Sequence, residues 1–294
     1  MIDVTIGICA YNEEGNIGQC IRSIYSQDHN VANVKEVIVV LSGCTDNSES
    51  IVRELQKEYD NIRIIVQPER EGKNSAINAY LDANTCDIVV MLNADNIFGT
   101  PDSLDKLVEP FTTDPNVGIV GGRPIPTNDP KDKIGYVVNM MWLVHHNVAL
   151  RVPKIGELVA FRDIGVRLRT DLQSDEDIIR MELERAGYTC KYVPDSIIRN
   201  RGPETEEDYI KQRVRVNVGE YTVKKIYGYD IPTWNKSCLV KATLKSMFDL
   251  GFHPFKLLYT VRLELRCRKI AMKHVESGGD LMNIWDRVDS TKIL

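Results

Sequence analysis

No stretch of this chain is apolar over the ~20 consecutive residues that a bilayer-spanning helix requires. Positive charge is not in excess either. With 37 Lys and Arg against 42 Asp and Glu, the net charge of -5 argues against general nucleic-acid affinity, because phosphate-backbone binding needs a basic surface. The seven cysteines include no C-x-x-C pair. An odd, dispersed set reads as reduced thiols of a cytosolic compartment, with Cys9 and Cys86 as small apolar residues of strands. The chain opens directly on a strand pattern, so no signal peptide is expected. These absences point to a cytoplasmic protein, free or held peripherally at the inner face of a membrane. With 294 residues, 43% of them apolar, the chain can bury one large core or two small ones.

What is present begins with Asp87-Ile88-Val89-Val90-Met91-Leu92, a short β-branched run that reads as a buried strand and leads into Asn93-Ala94-Asp95-Asn96. A carboxylate at the carboxyl end of such a strand sits in the crevice where open α/β sheets bind ligands. A hard cation bridged to phosphate oxygens is the usual reason to place one there. A polar turn with no ligand is the plain alternative. Three earlier segments repeat the pattern. Val4 to Cys9 runs into Ala10-Tyr11-Asn12-Glu13-Glu14, and a helical spacing follows through Ile17, Ile21 and Ile24. Val37 to Leu41 runs into Ser42-Gly43-Cys44-Thr45-Asp46, with Ser48 as the expected N-cap of the next helix. Ile62 to Val66 runs into Arg70-Glu71-Gly72-Lys73. Strand, polar turn, helix, four times over, is the rhythm of a doubly wound, mostly parallel sheet with helices on both faces.

The order Ala-Tyr-Asn-Glu-Glu, Ser-Gly-Cys-Thr-Asp, Arg-Glu-Gly-Lys and Asn-Ala-Asp resembles the nucleotide-sugar half of an inverting family 2 glycosyltransferase of GT-A fold. The likeness is to the catalytic domain of processive, membrane-associated members, without their transmembrane helices. It implies a catalytic domain over 1–230, divided into a nucleotide-sugar half (1–98) and an acceptor half (99–230), and a C-terminal helical appendage over 231–294. It also implies a nucleoside diphosphate sugar as donor and a glycan or lipid-linked acceptor. Ala10, Tyr11, Asn12, Glu13, Ser42, Lys73, Asn93, Ala94 and Asp95 would line the donor site. Asp95 would hold Mg²⁺ or Mn²⁺, Lys73 would neutralise the phosphates, and Asn12 and Glu13 would hold base or ribose.

In the second half, Lys154 to Arg162 resembles the segment by which this family floors the sugar and acceptor pocket, placing Gly156 and Glu157 there. Asp175-Glu176-Asp177 then opens a helix through Ile178, Ile179, Met181 and Leu183 that Gly187 stops. Acids in a first turn are also common for the helix dipole alone. The resemblance makes a carboxylate at this helix start the general base. The family register selects Glu176 where the base is normally Asp, with Asp175 beside it as competitor. A carboxylate is suited to the task because attack by a hydroxyl develops positive charge on the nucleophile, whose proton must leave as the bond forms. One base and no evident second, nucleophilic carboxylate imply single displacement with inversion. If the acceptor is a phosphate, the acid serves orientation instead.

Gln212, Arg213 and Arg215 resemble the Gln-x-x-Arg-Trp diphosphate signature, except that Val216 stands at the Trp position. A solvated basic helix face is the alternative. Ser42 and Asn93 also replace acids of the family pattern, which leaves the nucleotide base open. A catalytically impaired nucleotide-sugar-binding scaffold is therefore the first alternative and a nucleotidyltransferase the second. The latter lacks its expected glycine-rich phosphate loop after the first strand. Trp142 and His145 lie on a helix expected from about Lys131 to Leu150, with His146 adjacent. Acceptor contact or packing is favoured there over metal, since no third ligand has matching spacing. Between Asn235 and His274, nine Lys or Arg face only Asp249 and Glu264 amid an apolar helical pattern. The stretch 236–273 can lie on an anionic membrane or pack on the catalytic domain.

Overall fold

The computed structural model describes residues 1–279 together with Ile284 and Thr291. Of the helical region expected over 231–294, residues 280–283, 285–290 and 292–294 lie outside the described residues.

The chain alternates β1 (Ile2–Ala10), α1 (Ile17–Tyr25), β2 (Ala32–Ser42), α2 (Ser48–Glu58), β3 (Ile62–Gln67), α3 (Lys73–Ala83) and β4 (Ile88–Asn93). A two-residue β5 (Ile97–Phe98) and α4 (Ser103–Thr113) lead into β6 (Val117–Pro126), α5 (Lys133–Ala149), β7 (Leu158–Arg162), α6 (Asp175–Arg185) and β8 (Thr189–Asn200). The last elements are helical: α7 (Glu206–Tyr227), a short 3₁₀ turn (Pro232–Trp234), α8 (Lys236–Asp249) and α9 (Pro254–Glu276).

All eight strands form one sheet in the order β3-β2-β1-β4-β7-β6-β8-β5. The pairs β1/β2, β2/β3, β1/β4 and β6/β8 are parallel, whereas β7 runs antiparallel to both β4 and β6. Alternate residues feed two cores, as the two-residue period of a strand requires. Val37, Val39, Leu41, Val90 and Leu92 face α1, α2 and α4, while Ile38, Val40, Val89 and Met91 face α3 and α6. Both faces are covered, so the central strands read as unbroken apolar runs. From β1 the chain winds outward to β2 and β3, then returns on the other side of β1 as β4. The gap between the carboxyl ends of β1 and β4 is therefore the topological switch point, where such sheets hold ligands.

Two local expectations change. Ser48 is the first residue of α2 rather than its cap, a position held by Asn47. Its hydroxyl instead accepts the Glu13 backbone N–H at 2.7 Å. Cys86 lies in the bend before β4, not in a strand. All seven cysteines are free thiols.

A further layer of helices covers one end of the sheet. Thr205 caps α7 by accepting the Asp208 N–H at 3.1 Å, and Asn235 caps α8 by accepting the Cys238 N–H. Leu263, Cys267 and Ala271 of α9 bury against Tyr209, Val214 and Val218 of α7 and Val137 of α5. Cys238, Ala242 and Met247 of α8 bury against α5. Each of α8 and α9 thus packs on the preceding helices α5 and α7 through one narrow face, and the opposite faces are exposed.

Candidate active site

A cavity of about 790 Å³ opens at the switch point, bounded by the carboxyl ends of β1 and β4, the start of α6 and the middle of α7. That volume suits a ligand larger than a simple metabolite.

On the β1 side, Tyr11 and Glu13 line the cavity, and Arg70 lies over the Tyr11 ring at 4.0 Å. An aromatic ring under a guanidinium makes a flat, cation-faced slot. Asn12 does not line it. Its Oδ1 accepts the Thr45 N–H at 2.8 Å, and its role is to join the β1 and β2 turns. Asp46 accepts the Glu14 and Ser48 N–H groups, and Glu14 accepts the Asn47 N–H, which ties the same two turns further. Gly43, with φ +64, permits the second turn to close: a Cβ there would meet the Arg70 backbone N at 2.5 Å.

On the β4 side, Asn93, Ala94 and Asp95 line the cavity, and Asp95 is half-buried. Asn93 and Asn96 both donate amide hydrogens to the Glu157 carboxylate, at 2.8 and 3.1 Å. Burial, then the charge of Asp95, holds the Glu157 carboxyl above its usual range. Glu157 has a left-handed backbone (φ 60), as do Asn12 and Ser174; among the described residues the only other non-glycine case is His29. Two of the four, Glu157 and Ser174, line the cavity, and Asn12 lies between its lining residues Tyr11 and Glu13; backbone strain of this kind concentrates at functional sites. No group of three or more His, Cys, Asp or Glu that could hold a metal occurs among the described residues. Asp95, a half-buried carboxylate lining the cavity, nonetheless suits Mg²⁺ or Mn²⁺, which keep several waters and take further oxygens from a substrate diphosphate.

Opposite stands the acid run that starts α6. Asp175 pairs with Lys73 at 2.8 Å. Lys73 was expected to meet phosphates, yet its ammonium belongs to this pair. Burial alone would push Lys73 down, but the Asp175 and Glu176 charges hold it above its usual range. Glu176 accepts the Glu157 N–H through Oε1 at 3.2 Å. Burial, then repulsion from Asp175, raises its carboxyl to about 8. Asp177 is raised to about 6 by burial, with Lys154 opposing, and it faces Lys154 and Glu220. The competing acids therefore differ in surroundings: Asp175 is ion-paired, and Glu176 is the one whose proton is poised near neutrality.

The α7 residues divide. Gln212 and Arg215 line the cavity, and burial lowers the Arg215 guanidinium to about 10 against the opposing pull of Glu157, Asp175 and Asp95. Arg213 also lines the cavity, but its guanidinium is engaged between helices. It holds Glu264 of α9 with two hydrogen bonds of 3.0 and 3.1 Å, and the Tyr209 hydroxyl donates to the same carboxylate. Arg213 thus fixes α9, where a diphosphate contact had been expected of it.

The remaining wall comes from α5. Trp142 and His145 meet edge to face at 5.4 Å. The His145 Nε2 lies 3.3 Å from the Ile155 carbonyl oxygen, and a Cβ on Gly156 would meet that nitrogen at 3.2 Å. Burial lowers His145 to about 3, so it is neutral at pH 7. His146 turns away to the Tyr192 hydroxyl at 2.8 Å, and the two rings do not converge on a metal. Beyond Trp142 the wall becomes apolar, with Val144, Leu239, Leu244, Val261 and Leu265.

The sheet order and the crevice at its switch point define an α/β protein of the doubly wound kind. Residues 5–152 match the family model described as glycosyl transferase family 2, and the chain belongs to that family. It is 27% identical over 232 residues to a poly-beta-1,6-N-acetyl-D-glucosamine synthase of Staphylococcus aureus, covering 75% of this chain and 55% of that protein. The chain thus spans about half the length of the curated relatives it matches. Among solved structures, a mannosyltransferase from Pyrobaculum calidifontis in complex with GDP-Man and Mn²⁺ superposes with a TM-score of 0.62 at 24% identity, over 97% of this chain and 87% of that one. S. aureus TarS 1-349 in complex with UDP-GlcNAc gives 0.53 at 13% identity, over 95% and 93%. The architecture is the GT-A fold, and the chain is a family 2 glycosyltransferase. The expected nucleotidyltransferase alternative falls with that assignment.

Proposed function

We propose that the protein transfers a sugar from a nucleoside diphosphate sugar to an acceptor hydroxyl or phosphate, with inversion at the anomeric carbon and with Mg²⁺ or Mn²⁺ held at Asp95. The observation that carries this reading is the Glu176 carboxylate. It is half-buried, held by the Glu157 N–H, and lines the same cavity as Asp95.

In this reading the nucleoside enters the slot between Tyr11 and Arg70. Residues 1–98 form the donor half, 99–230 the acceptor half, and 231–294 the helical appendage. The acceptor oxygen attacks the anomeric carbon as its proton passes to Glu176, and the bond from that carbon to the diphosphate oxygen breaks, leaving its electron pair on the diphosphate. A bound cation supplies charge neutralisation for that leaving group. Gln212 and Arg215 hold the same diphosphate from α7, with charge-assisted bonds that strengthen as its charge grows. Asp175, paired with Lys73, keeps Glu176 from ionising too early and positions the start of α6. An acceptor that is already an ionised phosphate needs no proton removed, and Glu176 then orients it. Retention of Asp95, Glu176 and Arg215 around one cavity favours turnover over a binding scaffold.

A thermal-shift screen of GDP- and UDP-sugars, with and without Mn²⁺, tests the donor assignment, because a ligand that binds only the folded chain raises its melting temperature. At least one nucleoside diphosphate sugar is expected to stabilise the protein more with Mn²⁺ than without. The absence of any metal-dependent shift across the series removes this reading.

A further inference from the structure

The chain contains six phenylalanines. Phe98, Phe111 and Phe161 are buried in the sheet cores. The other three stand together around the α8–α9 turn, with Phe248 70%, Phe252 63% and Phe255 87% exposed. Behind them, Val240, Leu244 and Phe248 recur every fourth residue along α8, and Leu258, Val261 and Leu265 form a matching exposed row on α9. A contiguous apolar patch of this kind on a folded domain marks an interaction surface.

The charges that α8 and α9 themselves expose are mostly positive, while Glu206 of α7 faces α9, pairing with Arg266 at 3.3 Å and accepting from the Tyr259 hydroxyl. Lys236, Lys241, Arg262, Lys269 and Lys273 are exposed. The only acids between 236 and 273 are neutralised: Asp249 by Lys245 at 2.8 Å and Glu264 by Arg213. This cationic rim sits on a chain whose net charge is -5, so its sign is local to α8 and α9. We propose that the exposed face of α8 and α9 docks on an anionic phospholipid bilayer, with the phenylalanines entering the interface and the cations meeting the headgroups. Aromatic and aliphatic side chains flanked by Lys and Arg are the composition that such an interface selects. No described helix is long and apolar enough to span the membrane, so the contact is superficial. A second copy of the chain is a poorer occupant, because two cationic rims would face each other.

The docked face has a geometric tie to the cavity. Val240, Leu244, Val261 and Leu265 are exposed and also line it, so its apolar mouth opens between α8 and α9. An acceptor carried on a lipid would then approach Trp142 and Glu176 from the leaflet. This last consequence rests on the transfer reading; the docking does not.

Sedimentation of the full chain with phosphatidylcholine vesicles, with and without phosphatidylglycerol, tests the docking. Binding is expected only to the anionic vesicles at low ionic strength, with release by ~0.5 M salt. The Phe252→Ser, Phe255→Ser double variant should lose tenfold or more of that binding. Arg262→Gln and Lys269→Gln should each lose about fivefold, the equivalent of ~1 kcal/mol per cation. All of these side chains are exposed, so melting temperatures and the donor-induced shift should stay as in the parent. The proposal is overturned if the chain ignores anionic vesicles, if the phenylalanine variant binds like the parent, or if the patch instead mediates a dimer that the same variant dissolves. Vesicle binding without any donor shift would sink the transfer reading and leave the docking intact, and the reverse result would do the opposite.

Discussion

The two walls of the cavity are held in different ways. On the donor side, polar side chains fix one another across the strand ends: Asn12 to Thr45, Asp46 to Glu14, Asn93 and Asn96 to Glu157, Lys73 to Asp175. On the acceptor side, helices from three parts of the chain present Met, Val and Leu, and the polar groups they carry, such as Glu264, are turned into helix–helix contacts. A wall of mutually bonded dipoles is preorganised for one charge pattern, whereas an apolar wall discriminates weakly among shapes. Under the transfer proposed above, the contrast predicts strict recognition of the nucleoside diphosphate beside a tolerant acceptor side.

Substitutions can break that contrast, and the largest effect is expected at Asp95. Asp95→Ala should lower turnover by about 10³-fold or more and abolish the Mn²⁺-dependent part of the donor shift, since the diphosphate charge is left uncompensated. Parent-like activity, or full activity in excess chelator, would break the metal assignment.

Glu176→Gln should lower kcat by about 10²-fold while sparing donor binding. Asp175→Asn acts through Lys73 and Glu176, so a deeper loss there than at Glu176 would transfer the base to Asp175. If neither matters, the acceptor is an ionised phosphate. The raised Glu176 carboxyl adds a pH signature. Only its ionised form accepts a proton, so the parent rate should climb with pH toward about 8, and the Gln variant should lose that limb. Its folded value lies above the ordinary 4.5, so the stability it contributes is full below that pH and is lost as pH rises to about 8. Glu176→Gln should therefore melt higher than the parent at pH 9, by roughly 2–4 °C per kcal/mol, with the difference shrinking in acid.

The smallest effect on chemistry separates the α7 arginines. Arg215→Ala should weaken donor binding about tenfold, the scale of one charge-assisted hydrogen bond, as its main effect. Arg213→Ala should do the reverse. It strands Glu264 at a cost of about 3 kcal/mol in stability and leaves donor affinity near that of the parent. If titration calorimetry gave Arg213→Ala the larger loss of affinity, the division of α7 proposed above would be wrong.

The strand ends and their helices were legible in the sequence because each element carries its own period: Ile17, Ile21 and Ile24 lie on one helix face, and Val37 to Leu41 form an unbroken apolar strand. The turn motifs placed Asp95 and the acid run near one another through the resemblance. Partnerships between distant segments were not legible. Nothing local to Lys73 announces Asp175, and Arg213 finds Glu264 only once α9 has folded back over α7. Arg70 was passed over because its value comes from the Tyr11 ring beneath it, which belongs to a different turn. Of the C-terminal stretch, the expected packing describes one face of α8 and α9, and the other face is exposed, since a helix can bury one face and leave the other in water.

Glu157 sits in a backbone conformation that glycine would adopt freely, and its carboxylate is buried near another acid. A stability-driven redesign would select Glu157→Gly among its first changes, easing the backbone and removing a desolvated charge. The same change would release Asn93 and Asn96 from their shared acceptor and let the Asp95 turn drift. If Asp95 acts as proposed, thermal robustness and turnover are opposed at this position, and a hardened variant of this fold would gain the former by surrendering the latter.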